Sequence, residues 1–190
     1  MTNEPVFRTT HGALMFALNF VHGTLKKSAL AGMMGAGGSG KDLGGLDGAA
    51  QSGMILAELE KLAKVRRMLV VGRMAVATVP CACRAECCRG HRENPAWAEA
   101  VNYLAEYALI EGLTGTVSHY RLRRTLVMRY VGQKVYLVAV AEQCGVNRDT
   151  ASAHNQKLTE RFRQEERLAM YEVDELLKNA GIVEVAVAAA

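Results

Sequence analysis

The sequence predicts an all-α, multi-helix protein that ends in one long helix. Aromatic residues make up only 6% of a chain that is 50% hydrophobic, so the apolar content lies in residues such as Ala, Leu and Met rather than in the rings favoured by packed strands. Apolar positions recur at three- and four-residue spacing, and capping residues or glycines bound these runs. At 190 residues the chain can bury one core, or one core plus a smaller appended module.

A first helix is expected from about Thr9 or Thr10 to Lys27, within an N-terminal segment of residues 1–31, with Leu14, Ala17, Leu18 and Val21 as its buried stripe. Residues 32–53 are glycine-rich; so much backbone freedom makes a fixed helix or strand costly, and the segment is read as a linker or loop. Gly35-Ala36-Gly37-Gly38-Ser39-Gly40-Lys41 matches the opening of a phosphate-binding loop, in which amides and a lysine surround a nucleotide phosphate. Asp42, however, stands where such a loop needs the Ser or Thr that ligates magnesium, and no apolar strand precedes Gly35, so nucleotide binding is not expected.

Residues 54–116 are expected to form a helical body with a cysteine-rich turn at 81–91. Asp47 can cap a helix through about Val71, because Met54, Leu59, Leu62, Val65 and Leu69 recur at helical spacing. Beyond the cysteines, Asn94-Pro95 supplies an N-cap and a first-turn proline for a helix carrying Trp97, Val101, Leu104 and Ala108 and ending before Gly112.

Residues 117–184 hold three further helices. Ser118 can cap one through Tyr130, with Gly132 as its stop, and a short one runs from about Lys134 to Gln143 and stops at Gly145. The third starts after Asn147 and meets no breaker until Gly181, which makes it about 30 residues, or roughly 45 Å at ~1.5 Å per residue. Leu158, Phe162, Ala169, Val173, Leu176 and Ala180 form a near-heptad stripe broken by Glu165 and Glu166; the second half therefore packs on the body or pairs with a second copy in a homodimer. Residues 185–190 are a simple tail.

Val138 to Ser152 has the grammar of a helix-turn-helix. Ala141 is small where two helices cross, Gly145 permits a left-handed turn, Val146 plugs the gap and Asn147 caps the second helix. Ala151, His154 and Leu158 then face inward, leaving Arg148, Asp149, Ser152, Ala153, Gln156 and Lys157 toward a duplex groove. Arg148 suits a phosphate or a guanine edge, Ser152 and Gln156 suit base edges, and Lys157 and Arg161 suit backbone phosphates. Asp149 is better placed to orient Arg148 or to favour the positive helix end.

With Arg124-Thr125-Leu126-Val127-Met128-Arg129-Tyr130 leading in and Val146-Asn147-Arg148-Asp149 opening the recognition helix, residues from about Arg121 to Arg167 resemble region four of sigma factors. They also resemble the sigma-like C-terminal half of one group of phage Q antiterminators, in which a cysteine-bearing segment comes first. Ala151 and His154 depart from the sigma pattern, in which Ala151's place is usually taken by a branched apolar residue. The resemblance implies a phage or prophage transcription regulator that binds double-stranded DNA near a late promoter, contacts RNA polymerase and carries it through terminators. A conventional repressor or activator is the alternative within transcription, and a metal-dependent nucleic-acid enzyme is the alternative of another class, weakened by the lack of clustered carboxylates.

Cys81, Cys83, Cys87, Cys88 and His91 offer five soft or borderline ligands within eleven residues, enough for a four-coordinate structural zinc knuckle that displays Arg84, Arg89 and Arg92. Partly buried reduced thiols are the competing reading. Four crowded cysteines and an odd total of five suit a reducing cytoplasm better than a disulfide framework. The apolar run Ala13 to Val21 is too short to cross a bilayer, and the first residues lack a basic leader, so neither export nor a membrane partner is expected. The net charge of +4 hides two basic blocks, residues 61–92 with eight Lys/Arg against one Glu and residues 117–167 with ten against five acids, separated by an acidic stretch.

Overall fold

The computed structural model describes residues 5–20, 46–83, 85, 88–113 and 118–185. The all-α expectation holds across these residues, with one two-stranded hairpin as the exception. The chain does not divide into consecutive segments. One compact unit gathers residues from 1–63, 74–94 and 170–190, and a second gathers 64–73 and 95–169.

In the first unit, helix α1 (Thr10–Phe20) and helix α2 (Leu46–Glu60) share a core. Gly48, Ser52, Ile55 and Leu59 form the buried stripe of α2, and the small residues at its start let the Ser52 hydroxyl donate to Ala17 O at 3.1 Å. This overturns the linker reading for Leu46–Gly53: burial of one face outweighs the backbone freedom of two glycines. Asp47 sits inside the first turn, where its charge favours the helix dipole, rather than at the cap. The continuation of α1 to Lys27 and the Gly35–Lys41 motif lie outside the described residues.

The single helix expected from Asp47 to Val71 is two. Lys61 N and Leu62 N bond back three residues, to Glu58 O and Leu59 O, and helix α3 starts afresh (Lys64–Met74). The apolar period is unbroken across the join, so period alone does not reveal it. What differs is burial: α2 hides one stripe and leaves Met54 48% exposed, whereas α3 buries the consecutive residues Met68 to Gly72 and so is covered on several sides.

Strands β1 (Thr78–Pro80) and β2 (His91–Glu93) pair antiparallel, with Val79 opposite Arg92, and the cysteine segment forms the end of this hairpin. Asn19 anchors its approach: the side-chain amide donates to Met15 O at 2.8 Å and Met74 O at 2.9 Å, while its oxygen accepts from Val76 N at 2.9 Å. Phe7 forms a parallel bridge with Val183, and the Thr10 hydroxyl donates to Asp174, which Lys178 also meets at 2.6 Å.

The second unit packs α3 with helices α4 (Pro95–Tyr107), α5 (Tyr120–Tyr130), α6 (Leu137–Cys144) and the first 22 residues of α7 (Arg148–Asn179). Pro95 opens α4 as expected, and a π-turn at Ala108–Gly112 closes it. Trp97 Nε1 donates to Gly72 O at 3.2 Å, and a Cβ at Gly72 would lie 3.0 Å from Val131 Cγ1, a close approach that the absence of a side chain relieves. The cap of α5 is His119 rather than Ser118: its Nδ1 accepts from Leu122 N at 3.3 Å, leaving Nε2–H to donate to Cys144 O at 3.1 Å. Among the described residues, no helix is long and apolar enough to cross a membrane.

The buried positions of α7 are Ala151, His154, Leu158, Phe162, Glu165, Ala169, Val173 and Leu177. The stripe thus takes in Glu165 and passes through Leu177 instead of Leu176. Its seven steps spread over 26 residues, about 3.7 per step, which suits a helix lying on its own chain better than the 3.5 period of a left-handed coiled coil. Val173 and Leu177 are spent in the core of the first unit.

Candidate nucleic-acid interface and thiol cluster

The turn between α6 and α7 is built as its residues dictate. Gly145 is left-handed (φ 63°, ψ 32°), Ala141 is buried and accepts from Val146 N at 3.0 Å, and Val146 is half-buried. Asn147 Oδ1 accepts from Asp149 N at 2.8 Å, capping α7. Ala151, His154 and Leu158 are 0%, 5% and 2% exposed, which leaves the opposite face to solvent.

That face carries the expected readers. Asn147, Arg148, Asp149, Ser152, Ala153, Gln156 and Lys157 are all exposed. Among the described residues, the side chains of Arg148, Ser152, Gln156 and Lys157 make no hydrogen bond or ion pair, so their donors and acceptors remain available to a ligand. Arg161 is the exception. Its guanidinium donates to Tyr107 Oη at 3.0 Å, pairs with Glu165 at 3.1 Å and lies 3.8 Å from Glu111, so it is a structural cation rather than a free phosphate contact. Glu165, buried in the stripe, is held from its other side by Arg66 Nε at 3.1 Å, which satisfies a carboxylate that would otherwise be costly to bury. The sequence does not announce this trap, because Arg66, Tyr107 and Glu111 lie far from α7 in the chain.

His154 is buried on α7, and its Nδ1 has no partner among the described residues. Burial, and secondarily the charge of Lys157, lowers its pKa below the ordinary 6.5, so the ring is neutral at pH 7 and tolerable in an apolar site. It is a core histidine, as its inward position implied.

Beside this exposed face lies a cleft of about 330 Å³, lined by Arg73, Arg129, Tyr130, Asn155, Thr159, Arg163 and Glu166. These residues come from three separated stretches of the second unit, and nothing in the linear sequence unites them. The Tyr130 hydroxyl donates to Glu166; its burial, and then this bond, push its pKa well above the ordinary value. Arg73 Nε meets the same carboxylate at 3.0 Å.

In the first unit the hairpin brings Cys81, Cys83 and Cys88 together, with all three sulfurs within 4.8 Å of one another. Cys81 N donates to Gly90 O at 2.8 Å, closing the hairpin end, and Cys88 N donates to Ala85 O at 2.9 Å. The amide of Ala85 donates to the Cys83 sulfur, and this, with the neighbouring thiols, lowers the Cys83 pKa. The amide of Cys83 likewise favours the Cys81 thiolate, but shared thiol hydrogen bonds and burial outweigh it and raise the Cys81 pKa. Cys87 lies outside the described residues, and His91, exposed on β2, is not in the sulfur group; its Nδ1 lies 3.4 Å from Arg89 O.

No protein family, curated protein or solved structure matches this chain.

Proposed function

We propose that the chain is a sequence-specific DNA-binding transcription regulator that lays the exposed face of α7, from Arg148 to Lys157, in the major groove of a duplex. The observation that carries this reading is the combination of a capped, left-handed turn with a recognition helix whose inner face is buried and whose outer polar side chains have no partner among the described residues. An α-helix fits the ~12 Å major groove, and Arg, Ser and Gln supply donors and acceptors for base edges. With the sigma-like pattern added, the proposed role is antitermination of phage or prophage type, acting on RNA polymerase.

Zinc is the proposed partner of the thiol hairpin. Sulfurs ~2.3 Å from a tetrahedral zinc stand roughly 3.8 Å apart, so three already within 4.8 Å need little movement. Cys81, Cys83 and Cys88 would hold the ion, with Cys87 or His91 as the fourth ligand. The ion would supply structural order to the hairpin.

Selection of binding sites from a randomised duplex pool tests the DNA reading directly. Retained sequences should share a short motif, and Arg148→Ala should weaken binding to it by roughly 1 to 3 kcal/mol if that residue makes a bidentate base contact, whereas Lys157→Ala should lower affinity for all sequences alike. If both variants bind as the parent does, α7 is not the reading element. In a run-off assay with purified polymerase, terminator readthrough that needs the DNA site and persists beyond the promoter supports antitermination, and an effect confined to initiation assigns the chain to ordinary repressors or activators instead.

A further inference from the structure

We propose that Arg163, with Arg129 and Arg73 behind it, forms a phosphate-binding cleft that grips the DNA backbone beside the groove read by Ser152 and Gln156; this rests on the DNA-binding reading above. The residues Ser152, Gln156, Thr159 and Arg163 follow spacings of four, three and four, so they lie along one side of α7. From Gln156 to Arg163 is seven residues, roughly 10 Å of helix. A side chain that far past the reading turns leaves the base edges and meets the flanking phosphates, which are the commonest hydrogen-bond targets on a duplex.

The cleft is electrostatically one-sided. Three guanidiniums line it against one carboxylate, Glu166, and that carboxylate is already engaged by the Tyr130 hydroxyl and by Arg73 Nε. Arg73 also donates to Tyr130 O at 3.1 Å, and Arg129 donates to Val135 O, so both are oriented by the protein while keeping further N–H groups. Arg163 is exposed and makes no hydrogen bond or ion pair among the described residues. Asn155 and Thr159 add neutral groups on the helix side of the same cleft, suited to the remaining oxygens of a phosphate. The sequence pointed to Arg161 for this task; the fold consumes Arg161 internally and presents Arg163 two residues later.

The test is duplex binding as a function of salt, using a random-sequence duplex of about 20 base pairs so that no target site is needed. Arg163→Ala should weaken binding about three- to tenfold near 0.1 M salt, and lower the slope of log affinity against log salt by about 0.9, the loss of one phosphate contact. Arg163→Glu should weaken it further, and Arg163→Lys should keep the slope. Since Arg163 makes no hydrogen bond or ion pair among the described residues, thermal melting should be little changed in Arg163→Ala and Arg163→Lys, while Arg163→Glu places a like charge near Glu166 and is read through its binding alone. Parental affinity and slope in Arg163→Ala and Arg163→Glu, with weaker binding by Lys157→Ala, would overturn the cleft and leave the DNA reading standing. No duplex binding by the parent would overturn both. Titration with inorganic phosphate forms the second arm: saturable binding lost in Arg163→Ala, with duplex affinity unaltered, would assign the cleft to a small free anion and reject the backbone.

Discussion

The helix-turn-helix and the thiol hairpin are of similar length, yet they are held by opposite means. The first is secured by its own backbone and core: a left-handed Gly145, the Asn147 cap and the buried Ala141, Ala151, Leu158 and Phe162. The hairpin has three residues per strand, and its strands bury Val79 alone. Isolated hairpins of this size are marginal in water, so the second element relies on contacts outside its strands, such as Asn94 Nδ2 to Val76 O at 2.8 Å, and in the zinc proposal on the ion as well. In that proposal, helical stability and ligand dependence belong to separate parts of one chain.

The largest blow to that contrast comes from the helical core. Phe162→Ala removes a fully buried ring packed edge-on against Tyr130 at 5.2 Å, and should cost about 3 to 5 kcal/mol in urea denaturation. A loss under about 1 kcal/mol would mean that α7 is not held by this core.

Gly145→Ala is a smaller and more local probe. At φ 63° an added Cβ meets nothing within 4 Å, so the penalty is backbone strain alone, about 1 to 2 kcal/mol, and DNA affinity should fall with it because the angle between α6 and α7 depends on that turn. An unchanged melting temperature would show that the left-handed turn is not populated.

His154 sharpens the comparison through pH. Its folded pKa lies below the ordinary 6.5, so on acidification the unfolded chain takes up the proton first. Stability should fall as pH drops from 6.5 toward the folded value and be complete above 6.5, and His154→Gln should flatten this slope in denaturation curves. An identical slope in that variant would assign the acid sensitivity elsewhere.

The smallest effect is expected where the two elements should be independent. Cys83→Ser should reduce bound zinc, measured by elemental analysis, to well below one atom per chain, while duplex affinity stays within about 0.5 kcal/mol of the parent. Zinc stoichiometry equal to the parent would exclude Cys83 as a ligand, and a large loss of duplex affinity would tie the hairpin to DNA binding.

The parts legible in the sequence are those governed by neighbours a few residues apart. Gly145, Asn147 and Pro95 each constrain their own turn, and the apolar spacing of Ala151, His154 and Leu158 sets which side of α7 faces inward, so its exposed face could be named in advance. Cysteines a few residues apart likewise declared a thiol site. The break at Lys61 to Ala63 was hidden because the hydrophobic period runs through it, and the helical start of α2 was hidden because Gly48 resembles linker until α1 packs against it.

What the linear chain determined on its own is therefore the helical class, the turn before α7 and the polarity of its faces, all of which follow from local backbone energetics and side-chain spacing. Tertiary packing alone decided which charged groups remain available. Arg161 and Arg163 differ by two positions and one helical face; beyond the i,i+4 carboxylate of Glu165, the placement of Tyr107 and Glu111 engages the first, which stays partly exposed, and leaves the second open. The physical reason is that an ion pair depends on distance in space, and residues tens of positions apart acquire that distance only on folding.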